Sequence, residues 1–381
     1  MAEDTRRLMN SPWCHGVFGP RLVNPRARLA ELRTSSGGGR LATSVDGTLT
    51  GRGGNIIIVD DALNPEQAVS DVKRNGANRW FDSTVTTRLN DKERGAIIVI
   101  MQRLHENDLV GHLLEQGIWE VLSLPAIAEE DEAHEIRTPA GIRLHRRMKG
   151  EALHPERESV AKLRESERVM GSFQFASQLQ QRPMPLGGGL FRPEWLRRFD
   201  PADMPKFDTV IQSWDTAWKA DQIHDYSACV TIGLVGSGPK SHAWLIDVRR
   251  ERLTSPELRR AVLEQAERFS ANHVLIEDCS SGIGLLQALQ VEGFWRATAI
   301  KPAGDKTMRF LNASPFIEAG YLSVPHSAPW LADWIHELSM FPNGRFDDQV
   351  DATSQAINWI TSIPVGFGFL ELCREELGNR D

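Results

Sequence analysis

Thr209-Val210-Ile211-Gln212-Ser213-Trp214, Ala228-Cys229-Val230-Thr231-Ile232-Gly233-Leu234 and Ala243-Trp244-Leu245-Ile246-Asp247-Val248 are three apolar runs in close succession. Segments rich in Asp, Gly, Ser and Pro separate them. That is the punctuation of strands joined by turns, so the three runs predict an antiparallel meander. Gly236-Ser237-Gly238-Pro239-Lys240-Ser241 lies between the second and third runs and reads as a hairpin turn. The rhythm then changes. Periodicity predicts a helix over 256–269, a strand over 273–276, a helix over 284–291 and a short strand over 297–300. Helices over 306–319, 329–338 and 349–360 complete the pattern.

Three antiparallel strands, a crossover helix, then further strands and helices is the order of the ribonuclease H-like fold. Upstream, Ile56-Ile57-Ile58-Val59 is a compact apolar strand ending in Asp60-Asp61, and residues 96–101 form a second one. A long helix is predicted from 65 to 88, with Asn64 as its cap and Pro65 in its first turn. Another is predicted from 106 to 115. Strand, helix, strand, helix predicts a parallel α/β sheet. Residues 129–150 are charged and poor in aliphatics, and read as a loop or hairpin excursion. Arg182-Pro183-Met184-Pro185-Leu186-Gly187-Gly188-Gly189 has the composition of a linker. The domains are accordingly placed at 1–182 and 207–365, with a linker over 183–206 and a tail over 366–381.

At 381 residues the chain has room for two domains. No apolar run approaches the roughly 20 residues of a membrane helix, and polar residues 1–10 are no signal peptide. Cys14, Cys229, Cys279 and Cys373 lie far apart with no C-x-x-C spacing. Neither a zinc site nor a disulfide framework is read from them, and a reducing compartment suits them. The formal net charge is −7, but nucleic-acid binding depends on where the cations cluster. Basic runs occur at Arg143, Arg146, Arg147 and Lys149, and at Arg249, Arg250 and Arg252. Taken singly, each reads as a solvated face.

Acids punctuate three distant elements. Asp215 ends the first strand of the meander, Glu277 and Asp278 end the strand Val274-Leu275-Ile276, and Asp347, Asp348 and Asp351 open the last long helix. Strand ends and a helix start can converge at one sheet edge, and carboxylate oxygens are the ligands Mg²⁺ and Mn²⁺ prefer. Two such ions a few ångströms apart activate a water and stabilise the leaving oxygen of a phosphodiester. Successive strand residues point to opposite faces, so only one of Glu277 and Asp278 faces such a site. Glu277 is the first choice and Asp278 the fallback. On the helix, Asp348 and Asp347 each share a face with Asp351, which makes Asp351 the first choice and either neighbour an accessory.

Four aliphatics followed by Asp60-Asp61 have the form of a Walker B strand, in which the first acid holds Mg²⁺ and the second positions water. Asp61 departs from the more usual Glu. Gln102 and Arg103, after the second strand, are read as polar side chains beside a γ-phosphate, and Thr50-Gly51-Arg52-Gly53-Gly54 as a loop over phosphates or DNA. No G-x-x-x-x-G-K-[ST] occurs. ATP hydrolysis by this chain alone is therefore not expected.

These residues resemble the large subunit of tailed-phage and prophage terminases. The stretch Thr48-Leu49-Thr50-Gly51-Arg52-Gly53-Gly54-Asn55, the Asp60-Asp61 strand and Met101-Gln102-Arg103-Leu104-His105-Glu106-Asn107-Asp108-Leu109 carry the resemblance in the first half. Ser213-Trp214-Asp215, Ile276-Glu277-Asp278-Cys279-Ser280-Ser281-Gly282 and Phe346-Asp347-Asp348-Gln349-Val350-Asp351-Ala352 continue it in order, so that it spans about 11–359. The resemblance implies a partial P-loop-type parallel α/β ATPase domain followed by a ribonuclease H-like mixed-sheet nuclease domain. It further implies an ATP-driven motor that packages double-stranded DNA and an endonuclease that cuts concatemers with a pair of Mg²⁺ or Mn²⁺ ions. Its implied partners are a portal protein, a small terminase subunit and copies of itself in a ring, in the host bacterial cytoplasm and without a membrane. By resemblance Asp60 is the magnesium acid of the ATPase, Asp61 its catalytic acid and Gln102 part of the motif coupling hydrolysis to movement. Asp215, Glu277 and Asp351 are the implied nuclease ligands. The family's Walker A segment has no counterpart here, so the expectation is a truncated remnant, a misplaced start or half of a split gene. Two alternatives stay open: another ribonuclease H-like nuclease or transposase, and an inactive prophage protein that binds only DNA or partner subunits.

Overall fold

The computed structural model describes residues 2–19, 22, 30–45, 47, 51–184, 190–216, 226–278 and 282–363. Thr50 of the predicted phosphate loop, Pro185 to Gly189 of the linker, Cys279, Ser280, Ser281 and the tail lie outside them. The chain folds as two compact units. The first comprises residues up to Gln67, Asp71–Met101 and Asn107–Gly117, and the second Ala68–Ser70, Gln102–Glu106 and everything from Ile118.

The first part of the chain carries α1 (Ala2–Met9), α2 (Pro12–Phe18), β1 (Glu31–Arg33), β2 (Gly39–Leu41), β3 (Ile56–Asp60), α3 (Pro65–Val69), α4 (Asp71–Trp80), β4 (Ala96–Ile100) and α5 (Leu109–Leu114). Strands β3 and β4 pair in parallel from Ile56↔Ala96 to Asp60↔Ile100, as the strand-helix-strand order predicts. They form a two-stranded sheet, and Ile56, Ile58, Ile98 and Ile100 are exposed on one face. Parallel sheets are ordinarily covered on both faces, so the aliphatic runs did not by themselves report burial here. The helix expected over 65–88 is broken after Val69, and after Trp80 it loosens into a π turn, Phe81–Val85, and a 3-10 turn, Thr86–Arg88. The hydroxyls explain the second change. Ser83, Thr86 and Thr87 donate back to the carbonyls of Arg79 (2.6 Å), Asp82 (2.6 Å) and Thr84 (2.8 Å) and compete with the regular ladder.

The charged excursion is a hairpin, β5 (Glu132–Thr138) with β6 (Gly141–Arg147). Helices α6 (Val160–Met170) and α7 (Ser172–Gln174) follow. The largest sheet has seven strands: β7 (Arg197–Phe199), β8 (Thr209–Asp215), β9 (Ser227–Val235), β10 (His242–Glu251), β11 (His273–Glu277), β12 (Ala297–Ile300) and β13 (Leu322–Pro325). Their spatial order is β12-β11-β8-β9-β10-β13-β7. β8, β9 and β10 form the predicted antiparallel meander, while β11 joins β8, β12 joins β11, β13 joins β10 and β7 joins β13 in parallel. Helices α8 (Ser255–Arg268), α9 (Gly282–Val291), α10 (Lys306–Glu318), α11 (Leu331–Met340) and α12 (Asp348–Ser362) complete the unit.

Strand parity sorts the helices onto two faces. Trp214, Cys229, Val274 and Ile276 pack with Leu258 and Val262 of α8 and Leu285 and Leu289 of α9. Ile211, Val230, Ile232 and Leu245 pack on the other side with Phe310 of α10, Trp334 of α11 and Ile357 of α12. β9 runs through the middle, and all of it except Val235 is buried. Asp215 is two residues after Ser213 and four after Ile211, so it belongs to the face that α10, α11 and α12 cover. Glu277 has the parity opposite to Val274 and Ile276, which places it on that same face.

Candidate active site: a carboxylate cluster around Asp351

β8 and β11 run parallel with Ile276 opposite Trp214, so Asp215 and Glu277 end neighbouring strands at their carboxyl edge. That edge is where open α/β sheets gather their functional groups. A glycine is required just beyond it. A Cβ at Gly282 would collide with the Glu277 carbonyl oxygen, so the chain turns into α9 only because that side chain is missing. α12 supplies the third element. Asp348 and Asp351 lie in its first turn, where the helix dipole favours acids. Gln355, four residues after Asp351, clamps the helix to both strands. Its Nε2 donates to Ser213 Oγ (2.9 Å), to the Trp214 carbonyl (3.4 Å) and to the Leu275 carbonyl (3.5 Å).

The acids are bridged by cations. Arg309 Nη2 donates to Asp351 Oδ1 at 2.8 Å, and its Nη1 to Glu277 Oε1 at 3.4 Å. Lys306 Nζ lies 2.6 Å from Asp351 Oδ2 and 2.8 Å from Asp347 Oδ2. Arg250 Nη2 reaches Asp348 Oδ2 at 3.1 Å and Glu337 Oε2 at 3.7 Å. It also stacks over Tyr226 and Phe346, at 4.0 and 4.5 Å from the ring centroids. Burial, then the charge of Asp351, pushes the Asp215 carboxyl well above the usual carboxylate range, with Asp348 and Glu277 adding to it and Lys306 opposing. Burial also raises Asp348, against the pull of Arg250. Burial works to lower Lys306, but Asp347 and Asp351 outweigh it and hold the ammonium above its ordinary value. Five carboxylates thus share one place: Asp215, Glu277, Asp347, Asp348 and Asp351.

Asp215 carries a direct stability consequence. Its raised folded value means that the native state holds a proton the unfolded chain has released, so stability falls as pH rises out of the ordinary aspartate range. Asp215→Asn is expected to melt roughly 2–4 °C above the wild type at neutral pH in chelator. The gap should close as the pH approaches that of an unperturbed aspartate. Thermal melts of both proteins from acid to neutral pH check this, and a variant that melts lower at neutral pH contradicts it.

The structure brings Asp215, Glu277, Asp351, Asp347 and Asp348 together. Glu277 is the acid that Arg309 contacts, whereas Asp278 joins the sheet through its backbone N–H, which donates to Ile300 at 2.7 Å. Among the described residues, no group of three or more His, Cys, Asp or Glu side chains is arranged to hold a metal ion. As they stand, the carboxylates do not fit the ion pair the family resemblance implies, because both oxygens of Asp351 and one each of Glu277, Asp347 and Asp348 are turned to Lys306, Arg309 and Arg250. Lys306, Arg309 and Gln355 are what sequence reasoning missed, and Arg250, read there as part of a solvated basic run, is instead turned to Asp348 and Glu337. A signal existed: Lys306 and Arg309 sit one turn apart at the start of a helix, where the dipole disfavours cations.

The other predicted residues lie elsewhere. Asp60 ends β3 and is exposed. Asp61 follows with a positive φ of 45°, and its N–H donates to the Ile100 carbonyl at 2.9 Å. Gln102 and Arg103 fall in the second unit. The Arg103 N–H donates to Gln181 Oε1 at 3.1 Å, and its guanidinium to the Glu106 carbonyl at 3.3 Å. Of the basic runs, Arg147 is buried against Glu132 (2.6 Å) and the Pro125 carbonyl (2.8 Å), so it serves the hairpin's base.

Residues 212–359 match the model of the terminase RNaseH-like domain, a span that contains all five acids. No curated protein matches the chain. The large terminase of a thermophilic bacteriophage, in complex with ADP, superimposes with a TM-score of 0.50 at 12% identity, over 95% of this chain and 85% of that one. The large terminase nuclease of the thermophilic phage G20c with bound magnesium covers 45% of this chain and 97% of its own, at 15% identity and a TM-score of 0.35. The mixed seven-stranded sheet is consistent with the RNaseH-like domain whose model matches residues 212–359, and a smaller α/β region precedes it. Among the described residues, no helix is long and apolar enough to cross a membrane.

Proposed function

We propose that the chain is a member of the large terminase family, whose RNaseH-like domain model matches residues 212–359, and that its second unit is an endonuclease that cuts concatemeric duplex DNA for packaging. The observation that carries this reading is the convergence of Asp215, Glu277 and Asp351 from two adjacent parallel strands and one helix, with Glu277 and Asp351 sharing one guanidinium and Asp215 feeling the charge of both. Scattered structural acids would have no reason to share one sheet face. Mg²⁺ or Mn²⁺ is the proposed cofactor, with Asp215, Glu277 and Asp351 its ligands and Asp348 and Asp278 the accessory candidates. The chain's own part is to collect negative charge at a rigid edge and to fix α12 there through Gln355. Asp60 and Asp61 are proposed as nucleotide-side acids of the translocation domain, and Gln102 and Arg103, separately, as residues of the segment that couples hydrolysis to movement. A portal protein, a small terminase subunit and further copies of the chain are its proposed partners in that role.

The test is direct. The purified chain should nick or linearise supercoiled plasmid in Mn²⁺ or Mg²⁺ without strong sequence preference, and not in chelator. Asp215→Ala should remove the activity. Cutting that persists undiminished in Asp215→Ala would place the chemistry elsewhere.

A further inference from the structure

We propose that Lys306 and Arg309 are resident counter-cations of the carboxylate cluster, competing with divalent metal ions, so that a metal ion enters only by displacing them. The inference deepens the reading of this site as metal-dependent and rests on it. The accounting of oxygens carries it. Both oxygens of Asp351 are taken, Oδ1 by Arg309 at 2.8 Å and Oδ2 by Lys306 at 2.6 Å. Glu277 gives Oε1 to Arg309, and Asp347 gives Oδ2 to Lys306. A hard divalent cation needs several such oxygens at roughly 2.0–2.6 Å. It cannot gather them while both Asp351 oxygens and one each of Glu277 and Asp347 are aimed at a nitrogen, and among the described residues no metal-holding group is formed.

The placement of the two cations shows no purpose internal to α10. That helix already has its N-cap, Asp305, whose side chain accepts from the Met308 N–H at 2.9 Å. A lysine at the first position and an arginine at the fourth oppose the helix dipole. Their compensation is the acids across from them. The two also differ in freedom. Lys306 is 48% exposed and its long stem can swing into solvent, whereas Arg309 is 14% exposed and held by two carboxylates. Lys306 is therefore the part that yields first, and Arg309 keeps Glu277 and Asp351 together while it does.

The experiment is a calorimetric titration of the full chain with Mn²⁺ alone, without DNA, for wild type, Lys306→Gln and Arg309→Gln. Lys306→Gln should bind Mn²⁺ roughly tenfold more tightly, because a positive charge no longer sits against the ligand oxygens. In chelator the same variant should melt below wild type, and saturating Mn²⁺ should raise its melting temperature by more than it raises the wild type's. Should Arg309→Gln fail to fold, Lys306→Gln decides alone. Equal or weaker Mn²⁺ affinity in Lys306→Gln overturns the proposal, as does the absence of binding in both proteins at millimolar Mn²⁺. Plasmid cutting separates this from the nuclease reading. Tighter binding without cutting upholds the counter-cations and sinks the nuclease, and cutting with unchanged affinity does the reverse.

Discussion

Asp351→Ala is expected to lower Mn²⁺-dependent DNA cutting to below about one-hundredth of the wild-type rate, since even partners one step removed from a metal typically cost about 10–100-fold. Asp351 is the hub of the cluster, sharing Arg309 with Glu277 and Lys306 with Asp347. Its removal takes away the only carboxylate among the described residues that both cations touch. The fold should survive. Four acids (Asp215, Glu277, Asp347 and Asp348) remain to receive Lys306, Arg309 and Arg250, so no cation is left in excess. Repulsion on the buried Asp215 carboxyl also eases, because Asp351 is the charge that raises it most. Plasmid cleavage beside circular dichroism melts measures both halves. Undiminished cutting would remove Asp351 from the site, and a collapsed fold would show that the cluster serves stability first.

Trp334→Ala is expected to have the largest effect on stability, about 3–5 kcal/mol, seen as a fall of roughly 10 °C in the melting of the second unit. Trp334 is fully buried, meets Phe191 edge to face at 6.1 Å, and donates its Nε1–H to Thr353 Oγ1 at 3.0 Å. Thr353 passes the link to the Gln349 carbonyl at 2.6 Å, and Gln349 is bound through its backbone N–H (2.6 Å) and its side chain (2.7 Å) to Glu337. The indole thus fastens α11 to the first turns of α12, the turns that carry the acids, so cutting should weaken along with stability. Trp334→Phe keeps one ring in the site but forfeits the N–H bond and part of the indole volume, so an intermediate loss of about 1–3 kcal/mol is expected. Urea unfolding of the three proteins ranks the two losses. A loss below about 1 kcal/mol for the alanine variant would show that the site collapses around the missing ring.

What the sequence made legible follows from periodicity. Strand parity puts Asp215 and Glu277 on one face and explains why Glu277 is the acid that meets Arg309, although burial along Thr209–Asp215 and His273–Glu277 is continuous rather than alternating. The hairpin turn between β9 and β10 could be read because Gly236 and Gly238 adopt positive φ, at 84° and 75°, which glycine supplies without strain. Lys306, Arg309 and Gln355 stayed hidden for a different reason. Their partners lie on other elements, and a pattern confined to one helix carries no record of what faces it. The break in the helix over 65–88 was equally invisible to hydrophobic spacing, since hydroxyl competition with backbone carbonyls depends on rotamers. β7 has three residues, too short for any periodic signal, and its burial is declared only by Phe199.

That short strand decides where an independently folding fragment can begin. β7 precedes the meander in the chain yet pairs with β13 at the far margin of the sheet, from Ser323↔Arg197 to Pro325↔Phe199. A truncation starting at Phe207 would strip it away, leaving the N–H and C=O groups of β13 open along one side. Such a bare border invites pairing with a neighbouring molecule. Leu190 and Phe191, which lie ahead of it and belong to the same core as Trp334, would go as well. An excised domain that stays monodisperse in solution has to start upstream of these residues, at the expense of a tidy boundary.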